Sequence, residues 1–164
     1  MMIAACTFQA CEKDDNQDDI DKGEEAEFVT KASASNQFEI QAGQLAVTKG
    51  MSAQVKAYGA HMIMDHTLAN QELVTLASQN GLTITAGMTK EQTEMYNTLS
   101  QQTGVNFDRT YAQMMVDSHQ RTVNMFAEAA EDLEDPEVNA FASAKLPVLR
   151  AHLEEAMELR TSVQ

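Results

Sequence analysis

From about residue 24 to residue 160 the apolar residues recur in alternating steps of four and three. That spacing puts them on one face of a helix, and it is incompatible with the two-residue period of a strand. One stripe is Val55, Gly59, Met62, His66, Ala69, Leu73 and Leu76. A second is Tyr111, Met115, His119, Thr122, Phe126, Ala129 and Leu133, and a third is Val138, Ala142, Lys145, Leu149, His152, Ala156 and Leu159. The punctuation between stripes is equally readable. The first helix is expected from about Glu24 to Lys49, with acids in its first turn, a lysine in its last, and Gly50 as its stop. Ser52 caps a second helix that ends at Asn80-Gly81. Thr89-x-x-Gln92 is a capping box for a short third helix ending near Gly104. A fourth runs from about Asn106 to Leu133, and Asp135-Pro136-Glu137 opens a fifth that reaches about Arg160. Pro147 falls inside that helix, where it removes one hydrogen bond at a cost of about 3 kcal/mol, so a kink is expected there.

Loop lengths turn these helices into a fold. The first two are joined by a few residues, as are the last two, so each pair forms an antiparallel hairpin. The longer segment between the pairs carries its own helix and suffices to cross the length of the molecule. The fold class expected is therefore all-α: a ferritin-like four-helix bundle with a short crossover helix between two antiparallel helix hairpins. Small residues Ala32, Ala42, Gly43 and Ala46, opposite Ala53, Gly59 and Ala60, would let the first pair approach closely.

The N-terminal end has a different composition. Residues 1–10 carry no charge, Cys11 follows, and nine acids against two lysines fill residues 11–27. Such a charge run cannot contribute to a core, so we read residues 1–10 as a signal-peptide remnant, 11–23 as an acidic flexible tether and 24–162 as the bundle domain. Phe8-Gln9-Ala10-Cys11 fits a lipoprotein signal with acylation at Cys11. Ile3-Ala4-Ala5-Cys6 fits as well, but the tether begins at Cys11. A lipid anchor at Cys11 implies the bacterial cell envelope, in the periplasm or at the outer membrane. With both cysteines in this segment, the bundle has neither an internal disulfide nor a cysteine-ligated zinc. A net charge of -14 argues against nucleic acid as a partner, because there is no basic surface to neutralise phosphates.

Several ordered motifs resemble a known family. They are Phe28-Val29 with Ala32, then Phe38-Glu39-Ile40-Gln41-Ala42-Gly43-Gln44-Leu45-Ala46, and Met62-x-x-Asp65-His66-x-x-x-Asn70. Further on come Phe107-Asp108-Arg109-x-Tyr111, Met114-Met115-Val116-Asp117-x-His119 and Leu146-Pro147-x-Leu149-x-x-His152-Leu153. Together they resemble the bacterial envelope family catalogued as domain of unknown function 4142, over about residues 26–160. The resemblance implies a ferritin-like helical bundle, an exported location and no established activity.

Chemistry is hinted at by four polar residues on apolar faces. Glu39, His66, His119 and His152 each sit near the middle of a different long helix, so they fall in one layer whichever way the helices run. Glu155 follows His152 by three residues on the same face, and Asp65 is next to His66. Imidazoles and a carboxylate converging in a bundle suit a transition metal ion such as Fe, Zn, Cu or Ni. A di-iron carboxylate centre needs Glu-x-x-His pairs, and here the order is reversed in His152-x-x-Glu155. Met62 and Met115, four residues before His66 and His119, would add soft donors for Cu(I), although methionine at helical spacing also serves as core filler. The alternative needs no ion: the histidines bond Glu39, Thr122 or one another and fix helix register. The residues alone favour that second reading, a non-catalytic bundle with a buried His/Glu layer, over a metal-handling one. His61, one position off its stripe, is expected at the surface. No phosphate loop, nucleophile elbow or HExxH motif is present, so no enzyme class is indicated.

Overall fold

The computed structural model describes residues 15–164, with side chains from residue 22 on, and Cys6 and Cys11 lie outside the described residues. Five helices appear in the order α1 (Asp15–Lys49), α2 (Ala53–Gln79), α3 (Lys90–Gln101), α4 (Gly104–Asp132) and α5 (Pro136–Ser162). Ser52 caps α2 through Gln54 N at 3.1 Å. Thr89 and Gln92 close the capping box of α3, and the Asp135 carboxylate accepts from Glu137 N and Val138 N at the start of α5. Gly81 follows α2 with a φ of 67°, the left-handed conformation that glycine adopts without strain. No helix among the described residues is long and apolar enough to cross a membrane.

One boundary differs from expectation. Helix α1 starts at Asp15, not at Glu24, so the acidic segment read as a tether is helical from Asp15 on. The physical reason is that a run of acids, which argues against burial, is also what the positive end of a helix dipole favours. Pro147 lies inside α5, which spans Pro136–Ser162.

The hairpins pack side by side. α1 lies against α2 and α4 against α5, while α1·α4 and α2·α5 complete the ring. At one end the buried carboxylate of Asp108, near the start of α4, accepts from Met51 N at 2.9 Å and Ser52 N at 2.8 Å in the turn between α1 and α2. There Lys49 also bonds the carbonyls of Ser100 and Gln102 at the end of α3. At the opposite end Asn80 donates to Glu137 at 3.1 Å, and Glu25 accepts from Asp135 N at 2.8 Å. Helices α2 and α4 therefore start at the same end and run parallel, with α3 carrying the chain back along α1 and α4. The expected close approach is present: a Cβ on Gly43 would lie 2.7 Å from the Gly59 carbonyl oxygen, and one on Gly59 would lie 2.7 Å from Ala46 Cβ.

The apolar core has two halves. One gathers Phe38, Tyr58, Met62, Leu99, Phe107, Tyr111 and Met115, and the other Phe28, Val29, Leu73, Phe126, Val138 and Leu149. Between them in every long helix stands a buried polar residue: Asn36 and Glu39 in α1, His66 in α2, His119 in α4 and His152 in α5.

Candidate metal centre

The three buried histidines of the stripes meet at one point. Ring centroids are 5.6 Å apart for His66 and His119, 5.5 Å for His66 and His152, and 5.5 Å for His119 and His152. One nitrogen of each lies within 4.8 Å of one from each of the other two. Residue accessibilities of 3%, 1% and 2% keep all three rings out of water.

Each ring has one nitrogen bound to the protein and one without a partner. His66 Nδ1 is 2.9 Å from Asn36 Oδ1, His119 Nδ1 is 2.9 Å from the Met115 carbonyl, and His152 Nε2 is 3.1 Å from Asp65 Oδ2. All three partners are acceptors, so each of these nitrogens carries the proton. The remaining atoms, His66 Nε2, His119 Nε2 and His152 Nδ1, are therefore lone-pair nitrogens, and they are buried with no hydrogen-bond partner. Acceptors that fix the tautomer while leaving the opposite nitrogen free are the usual second sphere of an imidazole metal ligand. The environment also disfavours protonation. Burial holds His66 well below the ordinary imidazole range, helped by its neighbours His119, His152 and His61. Burial lowers His119 to about 4 against the hydrogen bond to Met115, and lowers His152 with help from His119.

Glu39 stands beside this cluster, its Oε1 3.8 Å from His119 Nδ1. It is 1% accessible, and neither oxygen has a well-formed hydrogen bond. Burial raises its carboxyl to about 8, although Ser118 and Arg121 favour the charged form. Burial thus favours its neutral form. Tyr111, whose hydroxyl is also buried and unpartnered, is pushed up by burial and then by Glu39. Tyr58 donates from its hydroxyl to the His152 carbonyl at 3.1 Å, holding the backbone that carries one imidazole.

Of the five candidate metal residues, the structure brings His66, His119 and His152 together. Glu39 joins the layer on the side where His119 is already bonded to Met115, outside the group of mutually close donors. Glu155 lies further out, 3.2 Å from His61, with 45% of its side chain accessible. Met62 and Met115 belong to the apolar core. His61 is partly covered, at 36%, and contacts Asp65 at 3.1 Å. Sequence reasoning missed Asn36 as an orienting group. The signal was present, because Asn36 is a polar residue three positions before Glu39. Beside the cluster lies a cavity of about 190 Å³ whose polar lining is Asn36, Asp65, His66, Thr122, Lys145 and His152.

Comparison with known proteins gives the following. The family profile described as Domain of unknown function (DUF4142) matches residues 9–159. No curated protein matches the chain. Among solved structures, CopM in the Cu(I)-bound form is 18% identical, with a TM-score of 0.70 over 84% of this chain and 96% of that one. CopM in the Cu(II)-bound form is 19% identical, with a TM-score of 0.71 over 85% and 97%. A crystal structure of a DUF305 fragment from Deinococcus radiodurans is 14% identical, with a TM-score of 0.74 over 85% and 96%. At these identities the likeness is one of fold.

Proposed function

We infer that this chain, which belongs to the DUF4142 family, is a metal-handling protein that binds a transition metal ion, copper foremost, through His66 Nε2, His119 Nε2 and His152 Nδ1. One observation carries the reading: three imidazoles meet in the core, and each keeps one buried nitrogen without a hydrogen-bond partner while the other is held by the protein. A structural polar layer would bond these groups to one another, because an unpaired buried acceptor costs about 1–3 kcal/mol. A cation removes that cost at all three nitrogens together.

Charge selects among cations. Three neutral imidazoles supply no negative ligand, so a monovalent ion is transferred into this apolar setting more easily than a divalent one. Imidazole is a good copper ligand, and Cu(I) accepts three-coordinate nitrogen sites. The copper-bound forms of CopM, a protein of the same fold, add support for that choice. We take the handling to be non-catalytic, because the sequence carries no phosphate loop, nucleophile elbow or HExxH motif. We extend the proposal to the cell envelope, with a lipid at Cys11. Labelled palmitate should enter the wild type and be lost in Cys11→Ser, and incorporation lost only in Cys6→Ser would move the anchor.

The test is anaerobic titration with Cu(I). One ion per chain should bind and raise the melting temperature, by the equivalent of about 2.7 kcal/mol at a hundredfold excess over Kd. His66→Ala, His119→Ala and His152→Ala should each lose that protection. If all three melt and bind Cu(I) like the wild type, the triad is not the site.

A further inference from the structure

A second group of donors lies on the solvent side of the triad. His61, Asp65 and His152 each offer an atom within 4.8 Å of the others. Asp65 Oδ2 is 3.1 Å from His61 Nε2 and 3.1 Å from His152 Nε2, and His61 Nδ1 is 3.2 Å from Glu155 Oε2. These contacts join α2 to α5, with the rings of His61 and His152 5.1 Å apart. A cleft of about 340 Å³ opens beside them, lined by His61, Glu155, Tyr58 and Glu158.

We propose that His61, Asp65 and the outer nitrogen of His152 form a second cation site, with Glu155 orienting His61 from the other side of its ring, and that the site takes a divalent transition metal ion. Its donors are one carboxylate and two imidazoles, a harder and more negative set than the triad, and it lies nearer to water. Both properties favour M²⁺ over M⁺. An incoming ion takes a lone pair of His61, a carboxylate oxygen of Asp65 and the outer nitrogen of His152, which gives up its proton.

His152 makes the two sites interdependent. A neutral imidazole has one proton and one lone pair. When Nε2 bonds Asp65 through its proton, Nδ1 offers its lone pair inward. When Nε2 binds an outer ion, the proton moves to Nδ1 and the triad loses a ligand. The outer ion and the inner ion therefore compete for His152. This competition rests on the inner reading above, whereas the existence of the outer site does not.

Zn(II) titration of His66→Ala separates the two, because that variant keeps every outer donor while the inner site is reduced to two imidazoles. His119→Ala serves the same purpose if His66→Ala does not fold. Either variant should bind one Zn(II) per chain. Adding His61→Ala or Glu155→Gln should weaken that binding by roughly tenfold or more, while Glu154→Gln, an exposed neighbour with the same charge change, should leave it unaltered. Absence of Zn(II) binding by both folded variants, or binding that survives His61→Ala and Glu155→Gln, overturns the outer site. In the wild type, preloading with Cu(I) should weaken Zn(II) binding, and undiminished affinity would overturn the shared use of His152. Failure of Cu(I) to bind the wild type would instead strike the inner reading and leave the His66→Ala result to stand alone.

Discussion

A carboxyl group buried without a good hydrogen bond survives only in its neutral form, and Glu39 is such a group. Its folded value of about 8 stands above the ordinary 4.5, so between those values the unfolded chain releases a proton that the folded chain keeps. Stability falls as pH rises across that window. The histidines act in the opposite direction. Below 6.5 the unfolded chain takes up protons that His66 and His119 refuse, His119 until about 4, so their contribution is lost as pH falls. The carboxyl and the imidazoles therefore push stability in opposite directions with pH. In Glu39→Gln the decline on the alkaline side should flatten, read from melting temperatures between pH 6.5 and 8. An alkaline limb unchanged by the substitution would assign the decline to another group. The positions of this layer were legible from helical spacing. The tautomers were not, because they depend on Asn36 Oδ1, Asp65 Oδ2 and the Met115 carbonyl, and only the folded arrangement brings the first two against rings on other helices.

At the level of elements, the two glycines of the first hairpin set how near α1 and α2 stand. Gly59→Ala puts a methyl group into contact with Ala46 and the Gly43 carbonyl, which backbone cannot yield cheaply, and should cost about 1–3 kcal/mol in denaturant unfolding. Gly23, in a helical interior with nothing within 4 Å, gives the contrast: Gly23→Ala should stabilise by about 0.5–1 kcal/mol. Equal effects at the two positions would remove close packing as the explanation. Asp108 is the second device at this scale. Its carboxylate satisfies two amides of the α1–α2 turn, so Asp108→Ala should destabilise by about 1–3 kcal/mol. Helix ends with a side-chain cap, at Ser52, Thr89 and Asp135, could be read from the sequence to the residue. The start of α1 could not, since its acids satisfy the criteria for a solvated spacer and for a helix N-terminus alike. Nor could the role of Asp108, whose partners are more than fifty residues away.

For the molecule as a whole, loop lengths were enough to give two hairpins and a crossover, because short connections leave no alternative to antiparallel neighbours. What they left open was how firmly one hairpin holds the other. His66 comes from the first hairpin, while His119 and His152 come from the second, so an ion in the triad bridges them. The hairpins pack more extensively within themselves than against each other, so without the ion the expected opening is their separation along α1·α4 and α2·α5. With it, that motion must first break a coordination bond. The ion then acts as a rivet through the middle of the stack, and hydrogen exchange reports it: amides facing the α2–α5 and α1–α4 seams should slow on loading, far more than those between α1 and α2. Proteases that cut only the parted hairpins would meet a chain whose vulnerability depends on its cargo, so the loaded and empty proteins would differ in lifetime as well as in content.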